Sequence, residues 1–491
     1  MDFNFIPDNF HLPRTLIEFN ENLSATTKQA LNACVWGQRL ATGTVPAGEK
    51  RLIASVAQAE EYWGRGAQIA EMFRVIKAVK PFFVAYGIGL DDDGAGTAAT
   101  ETVTFTGSAT DAIAHVVYIG GRRYKIGVTS GDTGGAQATA AVAVINADGR
   151  RLVDAAVDGA AANQVNLVAR HAGETGNSID LRMNYYGEKS PAGVVVAFGG
   201  ATMSGGATNP DVTAAINGMG TDWHNYIIQP YTDAANLTII ETMLSTNYQP
   251  PRQQGSRLFT AFRGSHATTT TFANGRNSEH VSCIGTGKSP APVWIWAALN
   301  GIICAESLVR HPLKQMVGLK VPAVEGYVLA PNHIDRWTDV ERNLAIPDGI
   351  STYTVGADGQ VYLEWQVSMY QVNTAGVADD ALLLINATEF RERVRFEKIA
   401  TFAPYARHLL AGDNARVSPG VDVMQPSDAL VLLLDLYRKQ EAKGWVQDYE
   451  GYKETLIAEI DVDVKTRLNI TDQPMPVYPM GVTAINTQTR R

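Results

Sequence analysis

The sequence predicts an α+β / α/β multidomain protein. It has a mixed α/β core, an inserted small β-rich domain and extended strand-forming N- and C-terminal arms. Three observations predict this. Strand and helix patterns alternate through residues 23–90 and again through 209–470. Between them, at 91–208, large core residues give way to Ala, Gly, Thr and Val in short alternating runs. Both ends carry short β-leaning stretches with neither a helix nor a hairpin beside them. The chain therefore divides into an N-terminal arm (1–22), a first core segment (23–90), an inserted β-rich domain (91–208), a second core segment with a C-terminal domain (209–470), and a C-terminal arm (471–491). Exposed loops tolerate such insertions.

The elements follow in order. "RTLIEFN" at 14–20 reads as a strand without a local partner. "SVAQAEEYWG" and "GAQIAEMFRVIKAVK" read as helices, and "PFFVAYGIGL" as a buried strand. In the insert, "ETVTFTGS", "HVVYIGG", "RRYKIGVT", "NQVNLVAR" and "SIDLRMNYY" alternate like strands, with one helix over "GDTGGAQATAAVAVINAD". Beyond it, "TDWHNYIIQPY", "RLFTAFRG" and "HVSCIGTG" are strand candidates. "DAANLTIIETMLSTNY" is an amphipathic helix with Leu237, Ile240 and Leu244 on one face. A hairpin is expected over 350–372, turning at Asp358-Gly359, with Val361, Leu363, Trp365, Val367 and Met369 on one face. Long helices follow at 379–411 and 427–443. Then comes an amphipathic strand in 452–470, where Leu456, Ala458, Ile460, Val462 and Val464 alternate with an acidic side.

Composition excludes several classes. The net charge of −9, from 41 basic and 50 acidic residues, does not make the basic face of a nucleic-acid binder. Cys34, Cys283 and Cys304 are few and far apart, so neither a disulfide framework nor a zinc site is expected. The start "MDFNFIPDNFHLPR" lacks the basic and apolar regions of a signal peptide. "PVWIWAALNGIICAESLV" is interrupted by Asn300, Gly301 and Glu306, and reads as a buried core helix rather than a membrane span. Nine histidines, from His11 to His408, form no metal-binding pair, so no cofactor is expected. Asp91, Asp92, Asp93 and Gly94 lack the alternating ligands of a calcium loop and read as a solvated turn. No G-x-S-x-G elbow is present.

One motif asks for an enzyme. Gly285, Gly287, Lys288 and Ser289 imitate the end of a phosphate-binding loop, and Asp435 after "LVLLL" imitates its acidic strand. Ser282 stands where the first glycine belongs, and Pro290 and Pro292 push the helix start beyond Lys288. Pro426 and Ser427 mark the Asp435 segment as a helix. A P-loop-like nucleoside triphosphatase built on Gly285–Ser289 is one alternative reading, and a glycan-binding adhesin built on 91–208 is another. The charged run "EFRERVRFEK" reads as a solvated helix face or as a docking surface for an acidic partner.

The features that stand out are the strand-forming ends and the amphipathic strand in 452–470. An unpaired strand leaves backbone groups open to another chain. The arms pair either within one chain or between chains.

The stretch "TGSATDAIAHVVYIGGRRYKIGVTSGDTGGAQATAAVAVINAD", the turn Gly173-Glu174-Thr175-Gly176-Asn177-Ser178-Ile179, and "GWVQDYEGYKETLIAEIDVDVKTRLNI…VTAIN" resemble contractile bacteriophage tail sheath proteins of the Mu-like branch. The start lacks the P-G-V-Y-x-x-E opening common elsewhere in that family. The resemblance implies a virion protein assembled in the host cytoplasm. It would form hexameric rings stacked around a tail tube protein, between baseplate and tail terminator proteins, without nucleic acid, membrane insertion, cofactor or nucleotide hydrolysis. It implies arm strands at Thr15, Leu16, Ile17, Glu18 and Phe19 and at Val482, Thr483, Ala484, Ile485 and Asn486. These would be accepted by a neighbour's strand around Leu456, Ala458, Ile460, Val462 and Val464. The tube would meet Arg391, Arg393, Arg395, Arg438, Lys439 or Lys443.

Overall fold

The structure is a computed structural model and describes residues 31–418 and 420–488. The strand expected at 14–20 lies outside the described residues.

The core is a seven-stranded sheet. Its first strand in the chain, Ala33–Gln38, is an interior six-residue run buried on both faces. It pairs in parallel with Ala85–Leu90 on one side and Tyr226–Ile228 on the other. Beyond Tyr226–Ile228 come Arg257–Phe262, Val281–Gly285 and Ile350–Ser351, all parallel. Lys50–Leu52 closes the opposite edge antiparallel to Ala85–Leu90. Successive residues of a strand point to opposite faces, and the two cores follow that rule. Ala33, Val35, Tyr226 and Ile228 pack under helices Gln68–Val79 and Val293–Arg310. Cys34, Trp36 and Ile227 pack under Thr213–Met219 and Ala234–Tyr248. Leu237, Ile240 and Leu244 are the buried face of the latter helix, as their spacing predicts, and Asp233 caps it by accepting the Asn236 N–H at 3.0 Å. Val293–Arg310 is long and apolar enough to cross a bilayer, yet it lies inside the protein. Its close approach to the sheet requires Gly301, where a Cβ would stand 2.8 Å from Ile228 Cγ1.

The chain leaves this sheet after Ala85–Leu90 and returns to it at Tyr226–Ile228. In between, it builds a four-stranded antiparallel sheet and a three-stranded sheet, with helix Gly134–Ala147 packed on them. Two of these strands, Val153–Val157 and Val194–Phe198, were not expected from the sequence. The apolar core of this segment is continuous with the one under Val293–Arg310. Buried charge also ties it to the core. Arg150 donates to both Glu71 carboxylate oxygens, at 2.9 and 2.7 Å, and the Tyr327 hydroxyl adds a third bond at 2.9 Å. Burial opposes ionisation of Glu71, but the Arg150 bonds and the charges of Arg150, Arg122 and Arg74 leave its pKa lowered.

Three expected elements are shorter than their sequence patterns. The hairpin at 350–372 pairs only Tyr353–Val355 with Val361–Leu363. Ile350–Ser351 joins the main sheet instead, and the Ser351 hydroxyl takes the Val367 N–H at 3.0 Å where a ladder bond would stand. The helix expected at 379–411 is Ile385–Phe402, preceded by a turn in which Asp379 accepts the Ala381 N–H. The strand expected across 452–470 is a helix and a hairpin. Asp448 caps helix Tyr449–Thr455, Ile457–Ile460 pairs antiparallel with Leu468–Thr471, and Val462 and Val464 stand exposed in the connection. Asp461 makes that turn by accepting the Asp463 and Val464 N–H groups at 2.9 and 2.8 Å. These bonds hold its carboxyl down at about 2.

Helices Ile385–Phe402, Pro426–Ala442 and Tyr449–Thr455 form a separate apolar cluster around Phe390, Leu433 and Tyr437. Tyr437 and Tyr452 stack there with centroids 3.8 Å apart. Glu389 bolts this unit to the main sheet. It accepts from the Tyr226 hydroxyl at 3.0 Å, Arg257 at 3.3 Å and Arg393 at 3.0 Å.

Candidate functional site

Open α/β sheets bind ligands beyond the strand C-termini, where the strand order reverses. Here that point lies between Ala33–Gln38 and Tyr226–Ile228, and side chains fill it. Gln38 donates to Asp92 Oδ1 at 2.7 Å and to the Ala172 carbonyl at 2.5 Å, while its N–H goes to Gln68. Tyr231 is fully buried beside them.

The phosphate-loop imitation is spent internally as well. Helix Val293–Arg310 starts after Pro292, as the prolines predict, and leaves Lys288 in the loop. Lys288 Nζ is mostly exposed and meets Asp335 Oδ1 at 3.0 Å. The buried Ser289 hydroxyl donates to the Leu329 carbonyl at 2.5 Å and accepts from Trp296 Nε1 at 2.7 Å. The helix N-terminus is shut in: Val293 N–H bonds the Ser178 hydroxyl at 3.3 Å, and Val293, Trp294 and Ile295 are buried. Asp435 sits on helix Pro426–Ala442, paired to Lys439 at 2.7 Å. Loop, lysine, hydroxyl and acid therefore do not converge on a phosphate. Among the described residues, no group of His, Cys, Asp or Glu could hold a metal.

The C-terminal region offers a different kind of site. Met475–Pro476 pairs with Val446–Gln447, and the Lys398 ammonium and Tyr452 hydroxyl hold Asp472 at 2.5 and 3.0 Å. Past Met480 the chain departs beside Trp365, against which a Cβ on Gly481 would lie 3.1 Å away. Residues 481–488 are exposed and make no strand among the described residues, with Val482 at 92 % and Ile485 at 81 %. Thr483, Ala484 and Asn486 share that exposure. Among the described residues, hairpin Ile457–Ile460/Leu468–Thr471 is a two-stranded sheet with both outer edges open. Leu456 is buried and Ala458 and Ile460 are half-buried on its inner face, while Ile457 and Glu459 face out. Residues Thr15 to Phe19 lie outside the described residues.

The six cations divide into two groups. Arg393 is buried and committed to Glu389 and to the Leu308 carbonyl. Arg395 bonds the Tyr248 carbonyl at 2.7 Å and stacks 4.2 Å over the Tyr248 ring. These two hold the fold together. Arg391, Arg438, Lys439 and Lys443 are exposed. Sequence spacing missed the difference because the inward face of Ile385–Phe402 carries charges beside its apolar residues, and Glu389 there pairs with Arg257, distant in the chain.

Residues 205–369 match the family model described as the phage tail sheath protein central domain. Over 474 residues the chain is 36 % identical to a Mu-like prophage FluMu tail sheath protein of Haemophilus influenzae. The alignment spans 96 % of this chain and 95 % of that one. The chain belongs to the phage tail sheath family, on its Mu-like branch. This sheath protein is a structural component of a contractile phage tail and not an enzyme. Among solved structures it is similar to a sheath tail protein of Listeria innocua (11 % identity, TM-score 0.48, 93 % and 94 % coverage). It is also similar to the anti-feeding prophage helical sheath in its contracted state (10 % identity, TM-score 0.47, 98 % and 99 % coverage).

Proposed function

We propose that this sheath subunit joins its neighbours by strand exchange. Its C-terminal arm at 482–486, and an N-terminal arm at 15–19, add strands to the open hairpin edges of adjacent copies. Copies so linked form hexameric rings stacked around a tail tube, between baseplate and terminator proteins, and are assembled in the host cytoplasm. Contraction of the lattice drives the tube through the host envelope with energy stored at assembly. Residues 91–208 form the outward domain, and Arg391, Arg438, Lys439 and Lys443 are the cations offered to the tube.

The observation that carries this reading is one chain that holds both an unpartnered apolar segment at its end and a hairpin with unpaired edges. Strand addition satisfies both at once. The buried clamps at Glu71 and Glu389 favour a body that moves as a unit, so that change falls on the arms as mobile joints. The glycan-binding reading has no such observation behind it.

Cross-linking tests the proposal. The three native cysteines are buried. In assembled chains carrying Ile485→Cys and Glu459→Cys, a short bis-maleimide should produce a ladder of covalent oligomers. Monomers alone would reject the arm joint.

A further inference from the structure

A cleft of about 320 Å³ opens beyond the C-terminal end of strand Val281–Gly285, lined by Gly287, Arg336, Trp337, Arg342 and Tyr353. Nothing in the assembly described above uses it. Its charges are unevenly paired. Arg342 is bound to Glu364 at 2.9 Å and Asp339 at 2.7 Å, and Asp335 is bound to Lys288. Arg336 spends its Nε on the Pro331 carbonyl at 3.2 Å and makes no ion pair among the described residues. Beside the cleft stand large aliphatic side chains in water: Ile334 is 91 % exposed, Val340 69 % and Leu344 52 %. Val340 and Leu344 are one turn apart on helix Asp339–Ala345 and so share a face. Apolar anchors beside an uncompensated guanidinium make a protein-docking surface.

We infer that this cleft receives the acidic, aromatic N-terminal tip of a second copy of the chain. Residues 1–13 read MDFNFIPDNFHLP, with Phe3, Phe5, Ile6 and Phe10 interleaved with Asp2 and Asp8 and no lysine or arginine. Phenylalanines fit the Ile334, Val340 and Trp337 surface, and the aspartates complement Arg336. The described chain enters the parallel sheet at the N-terminal end of Ala33–Gln38, whereas the cleft lies at the C-terminal end, which favours a tip arriving from a neighbour. The inference rests on the arm reading above. With 15–19 paired on another copy, the preceding fourteen residues extend about 45 Å further at roughly 3.3 Å each.

The test is fluorescence anisotropy of a labelled peptide of residues 1–13, titrated with the full-length protein. The acceptor carries Asp2→Lys and Asp8→Lys, so that its own tip competes poorly. Saturable binding is expected, weakened at least tenfold by Arg336→Glu and by Ile334→Asp. A peptide carrying Asp2→Lys and Asp8→Lys should restore binding to an Arg336→Glu acceptor that keeps its native Asp2 and Asp8, whose own tip the new glutamate repels. Circular dichroism confirms that both variants are folded. Absent saturable binding, binding that neither substitution weakens, or failure of the charge-swapped peptide to restore it would overturn the inference. The peptide stops short of residue 15, so this result is independent of arm pairing, which the cross-link ladder reports.

Discussion

Proline at Ile485 is the sharpest perturbation of the arm joint. In the free chain Ile485 is 81 % exposed and outside any strand, so the change leaves the fold alone. In the joint it removes one ladder hydrogen bond, about 0.5–1.5 kcal/mol. It also removes an isoleucine whose burial contributes about 1.5–3 kcal/mol. The loss per joint is about 2–4.5 kcal/mol, or roughly thirtyfold or more in affinity at 1.4 kcal/mol per tenfold. The intact joint is itself close to balance. Five residues gain roughly 2.5–7.5 kcal/mol from hydrogen bonds. Burying Val482 and Ile485 adds about 3–6 kcal/mol. Ordering five residues costs about 5–10 kcal/mol. A joint so near zero persists only where many act together, so the loss should appear as a raised critical concentration for polymerisation. Sedimentation across a dilution series should show the Ile485→Pro threshold at least tenfold above wild type, with an unchanged melting temperature. Polymerisation at the wild-type threshold would refute the reasoning.

Other outcomes follow from the body of the molecule. Glu71→Ala leaves Arg150 buried without its partner and should cost about 3–5 kcal/mol in urea unfolding. Lys288→Ala should change stability by less than about 1 kcal/mol and leave assembly intact, since its pair with Asp335 is mostly exposed. His280 is buried, and burial with the nearby Arg257 and Arg395 charges lowers its pKa to about 3; burial and the Lys50 charge lower that of His224 to about 4. The unfolded chain takes up these protons near pH 6.5 while the folded chain does not. Stability is therefore complete above that pH and falls as pH drops, by at most about 1.4 kcal/mol per unit for each histidine. His280→Phe should flatten the slope of unfolding free energy between pH 6.5 and 4.

Much of the architecture is legible in local sequence. The faces of Ala234–Tyr248, the helix start after Pro292 and the helical setting of Asp435 all follow from spacing and proline placement. The first strand of the sheet does not. Ala33–Gln38 is short, apolar on both faces and without alternation, because helices cover both sides of the sheet. The 452–470 stretch misleads because its alternation continues through 461–467, where side-chain bonds from Asp461 bend the chain into a turn. Arg393 and Arg395 resemble a solvated face, since the Leu308 carbonyl and the Tyr248 ring that help to hold them lie far away in sequence.

Where the chain is cut decides the central test. Removal of everything from residue 471 would also delete Asp472 and the Met475–Pro476 strand, and so damage the body. The measurement is therefore negative-stain electron microscopy of wild type beside a chain ending at Met480, each mixed with purified tail tube. The account predicts sheathed tubes from wild type and bare tubes with folded, dispersed subunits from the shortened chain. Sheaths of normal length from the shortened chain would contradict it.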